Sequence, residues 1–191
     1  MILQGRLSIL TGKVDSGKST FLASLITFIR KAFPPVKVGG ILCRGIFQDS
    51  AKVGYKLEEL HSGERYPFAI RGRSLEDNRE DPDGVSPPPF LQREESEELR
   101  AGKYIWAGQW LILQSALDRG EKSILTAVQG DYDLVVIDEF GKLELQGQGF
   151  RAATDELAHA GKAGILVARE EILEEVQRFY NPYITHVVPV P

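Results

Sequence analysis

Cysteine is almost absent from this chain, which has Cys43 alone among 191 residues. A lone thiol cannot close an internal disulfide and has no second thiol with which to build a zinc site, and the three histidines show no ligand spacing. Cys43 therefore reads as a core filler at the end of a strand. Long apolar runs are missing too: none approaches the ~20 residues that cross a bilayer, so no membrane partner is expected. The opening MILQGRLSILTGK has no basic leader ahead of its apolar residues and reads as mature structure in the cytoplasm, not as a signal peptide. Positive charge is in deficit, 23 Lys and Arg against 27 Asp and Glu, for a net charge of −4. That balance argues against a broad electropositive surface gripping nucleic acid by its phosphates, although a local basic groove remains compatible with it. Nothing in the sequence points to a particular protein partner.

What is present is ordinary globular material, 42% hydrophobic and 26% charged, in a length that suits one domain over 1–191. Residues 6–11 form a short β-prone run ending in GKVDSGKST, and 18–31 then place Leu22, Leu25, Ile26 and Ile29 on one helical stripe. Phe33-Pro34-Pro35 stops that helix and 36–43 reads as a second strand, so the opening is a βαβ unit. Residues 39–73 alternate β-prone pieces with turn signals and read as an antiparallel insertion. Over 74–100 the composition shifts to Pro, Asp and Glu, which predicts a mobile surface loop. Further on, 108–129 is helical in pattern, 133–137 a buried strand, 148–160 a helix, 163–168 a buried strand, 170–179 a helix and 184–188 a last strand. The alternation predicts an α/β fold of three layers around a mostly parallel sheet.

Two motifs carry chemistry. Gly12, Lys13, Val14, Asp15, Ser16, Gly17, Lys18, Ser19 and Thr20 match the phosphate-binding P-loop and lie after a strand and before a helix. Backbone N–H groups of such a loop curl around a β-phosphate, with Gly12 and Gly17 removing Cβ atoms that would block the approach, and the positive end of the helix adds to the field. Lys18 is expected to bridge the β- and γ-phosphates and Ser19 to ligate Mg²⁺. A glycine turn merely joining strand to helix would not need the lysine and the hydroxyl at these spacings. The apolar run 134–137 then delivers Asp138 and Glu139 at the C-terminal end of a strand, the edge where open α/β sheets place ligands. Asp138 fits the second Mg²⁺-side anchor, and Glu139 is placed to orient a water or take its proton. An acidic pair in a solvated turn is the competing explanation, much weakened by the P-loop.

Other residues signal less. Arg169 follows the 163–168 strand, which in P-loop folds with a Glu after the Asp commonly lies between the two motif strands; it could sense a γ-phosphate or be a surface arginine. Lys142 and Arg44 are comparable candidates for a transition-state cation, each also readable as solvated. Tyr104, Trp106 and Trp110 could stack on a base or fill a core. The acidic run from Glu94 to Glu98 could bind a cation or form a solvated face.

GKVDSGKST, then GGIL, a later GYKL, and VVIDEFGKLEL together resemble the small P-loop nucleoside-triphosphatase family that includes the human cancer-related nucleoside-triphosphatase, over residues 2–188. Its second motif resembles DEIGKMEL, matched here by Asp138, Glu139, Gly141, Lys142, Glu144 and Leu145, with Phe140 and Leu143 as apolar substitutions. The resemblance implies a RecA-like sheet with a β-hairpin insertion, and slow Mg²⁺-dependent hydrolysis of several nucleoside triphosphates, ATP and GTP among them. By that carry-over Lys18, Ser19, Asp138 and Glu139 take the roles derived above. The chain departs from the pattern at Ala168-Arg169-Glu170, where members of that family keep a Thr followed by Pro or His, and in the length of its Pro-rich acidic stretch. Neither Asn78 nor Asn181 begins an Asn-Lys-x-Asp, so a guanine-reading motif is missing, and no LSGGQ-like signature marks a transporter ATPase. The expected activity is broad nucleoside-triphosphate hydrolysis; a kinase using a small acceptor and a nucleotide-gated switch are the alternatives.

Overall fold

A strand sends consecutive side chains to opposite faces, so continuously apolar runs such as 134–137 and 165–168 need helices over both. A computed structural model describes residues 6–72 and 88–190. Its strands are β1 (Arg6–Gly12), β2 (Val38–Gln48), β3 (Ala51–Glu59), β4 (Arg65–Arg71), β5 (Tyr104–Ala107), β6 (Trp110–Leu113), β7 (Leu134–Phe140), β8 (Ala163–Arg169) and β9 (Ile184–Pro189). The helices are α1 (Lys18–Ala32), α2 (Arg93–Arg100), α3 (Gln114–Gln129), α4 (Lys142–Leu145), α5 (Arg151–Ala160) and α6 (Leu173–Tyr180), the last entered through a 3₁₀ turn at Glu170–Ile172.

All nine strands join one sheet in the order β5-β6-β4-β3-β2-β7-β8-β1-β9. The α/β class is as expected, but the sheet is half parallel: four pairings, from β2 across to β9, are parallel and four, from β5 across to β2, antiparallel. The cause lies in β2. It pairs with β7 over Val38–Ile41 and then runs on to Gln48 against β3, so the insertion is a continuation of the core sheet.

The two faces bury different residues of the same strands. Val135 and Ile137, Leu166 and Ala168, and Leu7 and Ile9 belong to the larger cluster with Leu117, Ile124, Leu157 and Val176 from α3, α5 and α6. Val136 and Val167, between these in sequence, and Leu10, next after Ile9, pack instead with Leu22 and Ile26 of α1. Full burial of each such Leu, Ile or Val contributes ~1.5–3 kcal/mol before chain entropy is counted.

The helical reading of 108–129 is corrected at its start. Gly108 (φ +64) and Gln109 make a two-residue turn, Trp110–Leu113 is strand β6, and the helix begins only at Gln114. A glycine in a two-residue turn between apolar runs was the hairpin signal, overridden there by helical periodicity. The expected mobile loop is also revised. Residues 74–87 lie outside the described residues, whereas Arg93–Arg100 is helical, with Glu95 accepting the Gln92 N–H at 3.0 Å at its start and Leu99 buried. Glu98 accepts the Ser115 N–H at 2.8 Å and the Ser115 hydroxyl at 2.5 Å, which starts α3. The acidic run therefore caps helices, and among the described residues no group of three or more His, Cys, Asp or Glu could hold a metal ion. No helix of the described residues is long and apolar enough to cross a membrane.

Candidate active site

The P-loop leaves β1 and enters α1 through Gly17, whose φ of +84 is a conformation that L side chains rarely adopt. No side chain caps α1 and its first turn has no acidic residue, so its leading N–H groups are free of competing carboxylates. Gly12 also has a packing part. A Cβ there would meet the Val190 carbonyl oxygen at 2.6 Å and the Ser16 hydroxyl at 2.8 Å, so this glycine permits close packing of the chain after β9. Lys18 folds back over the loop, its Nζ donating to the carbonyls of Gly12 (2.9 Å) and Lys13 (2.5 Å). Burial, partly offset by Glu139, holds its ammonium below the ordinary lysine range.

Asp138 and Glu139 end β7. Asp138 is fully buried; its Oδ2 accepts the Cys43 N–H of β2 at 3.0 Å, and its Oδ1 has no hydrogen-bond partner. Burial first, and the adjacent Glu139 second, push its carboxyl up from 3.8 to about 7, against a smaller opposite pull from the Cys43 N–H and the nearby Ser19 hydroxyl. Cys43 lies within β2, beneath this carboxylate, and not at the strand's end. Glu139 has φ +73 and sits in the register break between Ile137 and Phe140, where β7 loses its regular pairing with β8. A non-glycine residue held in the left-handed region at a strand end is the kind of outlier that collects at functional sites.

These groups meet in a cleft of about 460 Å³. From the P-loop it is lined by the run from Val14 to Thr20, and opposite by Glu139, Phe140 and Arg169. Arg169 reaches the cleft because β8 lies between β1 and β7, with Arg169 paired to Gly12. Gly12 and Lys13 hold Lys18 from behind and do not line it. Arg44 is elsewhere: its Nε donates to Glu58 at 2.5 Å, and Arg65 donates to the same oxygen at 2.9 Å. Lys142 is exposed at the start of α4 and lines no part of the cleft. Tyr104, Trp106 and Trp110 lie on the far-edge hairpin, Tyr104 edge-on to Trp106 at 6.3 Å and Trp110 edge-on to Tyr55 at 4.9 Å, and none of the three lines the cleft. Neighbouring Glu144 has a structural task, accepting the N–H of Gly141 at 2.7 Å and of Phe150 at 3.0 Å while 4% exposed.

Sequence reading missed the roof. Phe47, Ser50, Lys52 and Tyr55 of the β2–β3 hairpin line the same cleft, with the Lys52 ammonium paired to Asp15 of the P-loop. The pairing lowers the Asp15 carboxyl; at Lys52 burial is the largest single effect and acts downward, but Asp15 and Tyr55 together exceed it and hold the ammonium up. The antiparallel insertion expected over 39–73 contains this hairpin, turning at Asp49-Ser50, but nothing in the sequence aimed it at the loop.

A family model described as NTPase matches residues 8–188. The nucleoside-triphosphatase of Methanopyrus kandleri is 26% identical over 162 residues, 85% of this chain and 72% of that protein. That of Archaeoglobus fulgidus is 25% identical over 179 residues, covering 91% and 86%. The solution structure of a human cancer-related nucleoside triphosphatase superposes with a TM-score of 0.60 at 20% identity, covering 96% of this chain and 88% of its own, a likeness of fold.

Proposed function

The chain belongs to the NTPase family matched over residues 8–188, and on that premise we propose that it hydrolyses nucleoside triphosphates to the diphosphate and phosphate, with Mg²⁺ and with little regard for the base. The observation that carries this reading is Asp138, buried beside Ser19 with an oxygen that no protein donor satisfies and with Glu139 next to it on a strained turn. Ser19 and Asp138 fit as the protein-side holders of Mg²⁺, an ion that uses one or two protein oxygens and takes the remainder from phosphate and water. Bound there with substrate, Mg²⁺ supplies charge neutralisation on the β- and γ-phosphate oxygens. Lys18 exchanges its two loop carbonyls for phosphate oxygens as the run from Val14 to Thr20 closes on the β-phosphate. Glu139 orients a water in line with the γ-phosphorus and takes its proton as the bond to the bridging oxygen breaks. Arg169 faces the γ-phosphate from β8.

Base discrimination is expected to be weak because the sequence carries strong chemistry for the triphosphate and no guanine-reading motif. Phosphate release from ATP, GTP, CTP and UTP, with and without Mg²⁺, tests the proposal. Release should need Mg²⁺, and kcat/KM for ATP and GTP should agree within ~100-fold, about 2.7 kcal/mol. Release only on addition of an acceptor would make the protein a kinase, and tight binding without turnover would make it a switch.

A further inference from the structure

Among the described residues three cations line the cleft: Lys18, Arg169 and Lys52. Lys18 opens α1 and Arg169 ends β8, both already placed; Lys52 arrives from outside the parallel core. The β2–β3 hairpin reverses at Asp49-Ser50, both with positive φ (+47 and +66), which sets Lys52 one step into β3 and above the P-loop. Its ammonium is paired to Asp15, lies 3.4 Å from the Tyr55 hydroxyl, and has the Phe47 and Tyr55 rings 5.8 and 5.2 Å away. The Lys52 side chain is 23% exposed and the Asp15 side chain 70%. Lys52 is thus sheltered and positioned, while the carboxylate holding it is exposed and sits on the loop that would receive the phosphates.

The side of the cleft also matters. β2 neighbours β7, so the hairpin stands on the Glu139 side, and Tyr55 feels the Glu139 charge. That is where the γ-phosphate and its attacking water belong. A lone carboxylate at this position would repel a triphosphate, whereas an ammonium on a flexible four-carbon stem can leave a single negative charge for the denser charge of phosphate oxygens.

Resting on the hydrolase reading above, we propose that Lys52 is a catalytic residue, a cation supplied in cis that moves from Asp15 to a γ-phosphate oxygen, with Asp15 holding it over the cleft beforehand. In the step it serves, the water oxygen bonds to the γ-phosphorus as the bond from phosphorus to the β–γ bridging oxygen breaks. The electron pair leaves with the diphosphate, and one water proton passes to the Glu139 carboxylate. Lys52 keeps its proton throughout and balances charge on the equatorial oxygens, the part an arginine finger plays in other phosphoryl transfers.

The test compares Lys52→Met, Lys52→Arg and Asp15→Asn with the parent protein in three measurements: phosphate release, calorimetric affinity for Mg·ADP, and retention of ADP with Mg²⁺ and aluminium fluoride, which mimics the transferring phosphoryl group. Lys52→Met should lower kcat by at least ~10²-fold, keep ADP affinity within about threefold, and lose the fluoride-dependent retention. Lys52→Arg should recover at least about tenfold of that loss, and Asp15→Asn should lose at least about tenfold less than Lys52→Met. Equal losses in Lys52→Met and Asp15→Asn, shared by ADP affinity, would make the pair a latch and overturn the proposal. An active parent with Lys52→Met within about threefold of it would end the proposal alone. A parent that releases no phosphate would end the hydrolase reading, and this proposal with it.

Discussion

Glu139 offers the sharpest separation of chemistry from folding, because its backbone and its carboxylate make opposite demands. At φ +73 an L-residue pays roughly 1–2 kcal/mol in Cβ crowding that glycine escapes. Glycine returns ~0.5–1 kcal/mol of this through its freer unfolded chain. Glu139→Gly should therefore be more stable than the parent by about 0.5–1 kcal/mol, or ~1–4 °C in Tm for a chain of this size. Glu139→Gln keeps the strained backbone, the side-chain size and the hydrogen-bonding reach, so its melting temperature should stay close to the parent's. Both should lose ~10²–10⁴ in kcat, about 2.7–5.4 kcal/mol of transition-state stabilisation, since neither can take a proton from water. ATP should still bind to Glu139→Gln, held by Lys18, Ser19 and Asp138. Differential scanning calorimetry beside single-turnover phosphate release reads both quantities. If Glu139→Gly melts below the parent, the turn stores no strain; if Glu139→Gln turns over within about threefold of the parent, Glu139 is not the catalytic carboxylate.

Lys18→Ala should weaken ATP binding and turnover together while leaving the melting curve in place, and titration calorimetry showing unchanged ATP affinity would remove the P-loop from the argument. Glu144→Ala should cost about 2–4 kcal/mol, because it strands the N–H groups of Gly141 and Phe150, and chemical denaturation should place Glu144→Gln between it and the parent. Asp138→Asn should reduce both the Mg²⁺ dependence of nucleotide binding and the rate, in contrast to Glu139→Gln, and calorimetry with and without Mg²⁺ distinguishes them. At Glu58, Arg44 and Arg65 outweigh a larger single effect of burial and hold the carboxyl below its ordinary 4.5. Its stabilisation is thus present above that value and lost as pH falls through the lower folded one, so the Tm gap between parent and Glu58→Gln should shrink in acid below pH 4.5.

The parts of this protein legible in its sequence are those whose chemistry is contiguous. The P-loop needs its residues at fixed spacing along one turn, and the carboxylate pair needs only to end an apolar strand, so both were readable, as was the α/β alternation. Periodicity placed most helices and core strands to within a few residues, since each reports only its own buried face. Strand order is another matter: no local pattern says that β8 separates β1 from β7, and that alone brings Arg169 to the cleft while Arg44, on β2, is drawn off by Glu58 and Arg65. Composition over 74–100 hid the capping spacing of α2, whose Glu98 finds its purpose only when Ser115 arrives from another helix. Lys52 belongs to the same class. It reads as one more exposed lysine until β2 outruns the parallel sheet and the hairpin turns it over Asp15, a contact 37 residues away in the chain that only long-range strand pairing could decide.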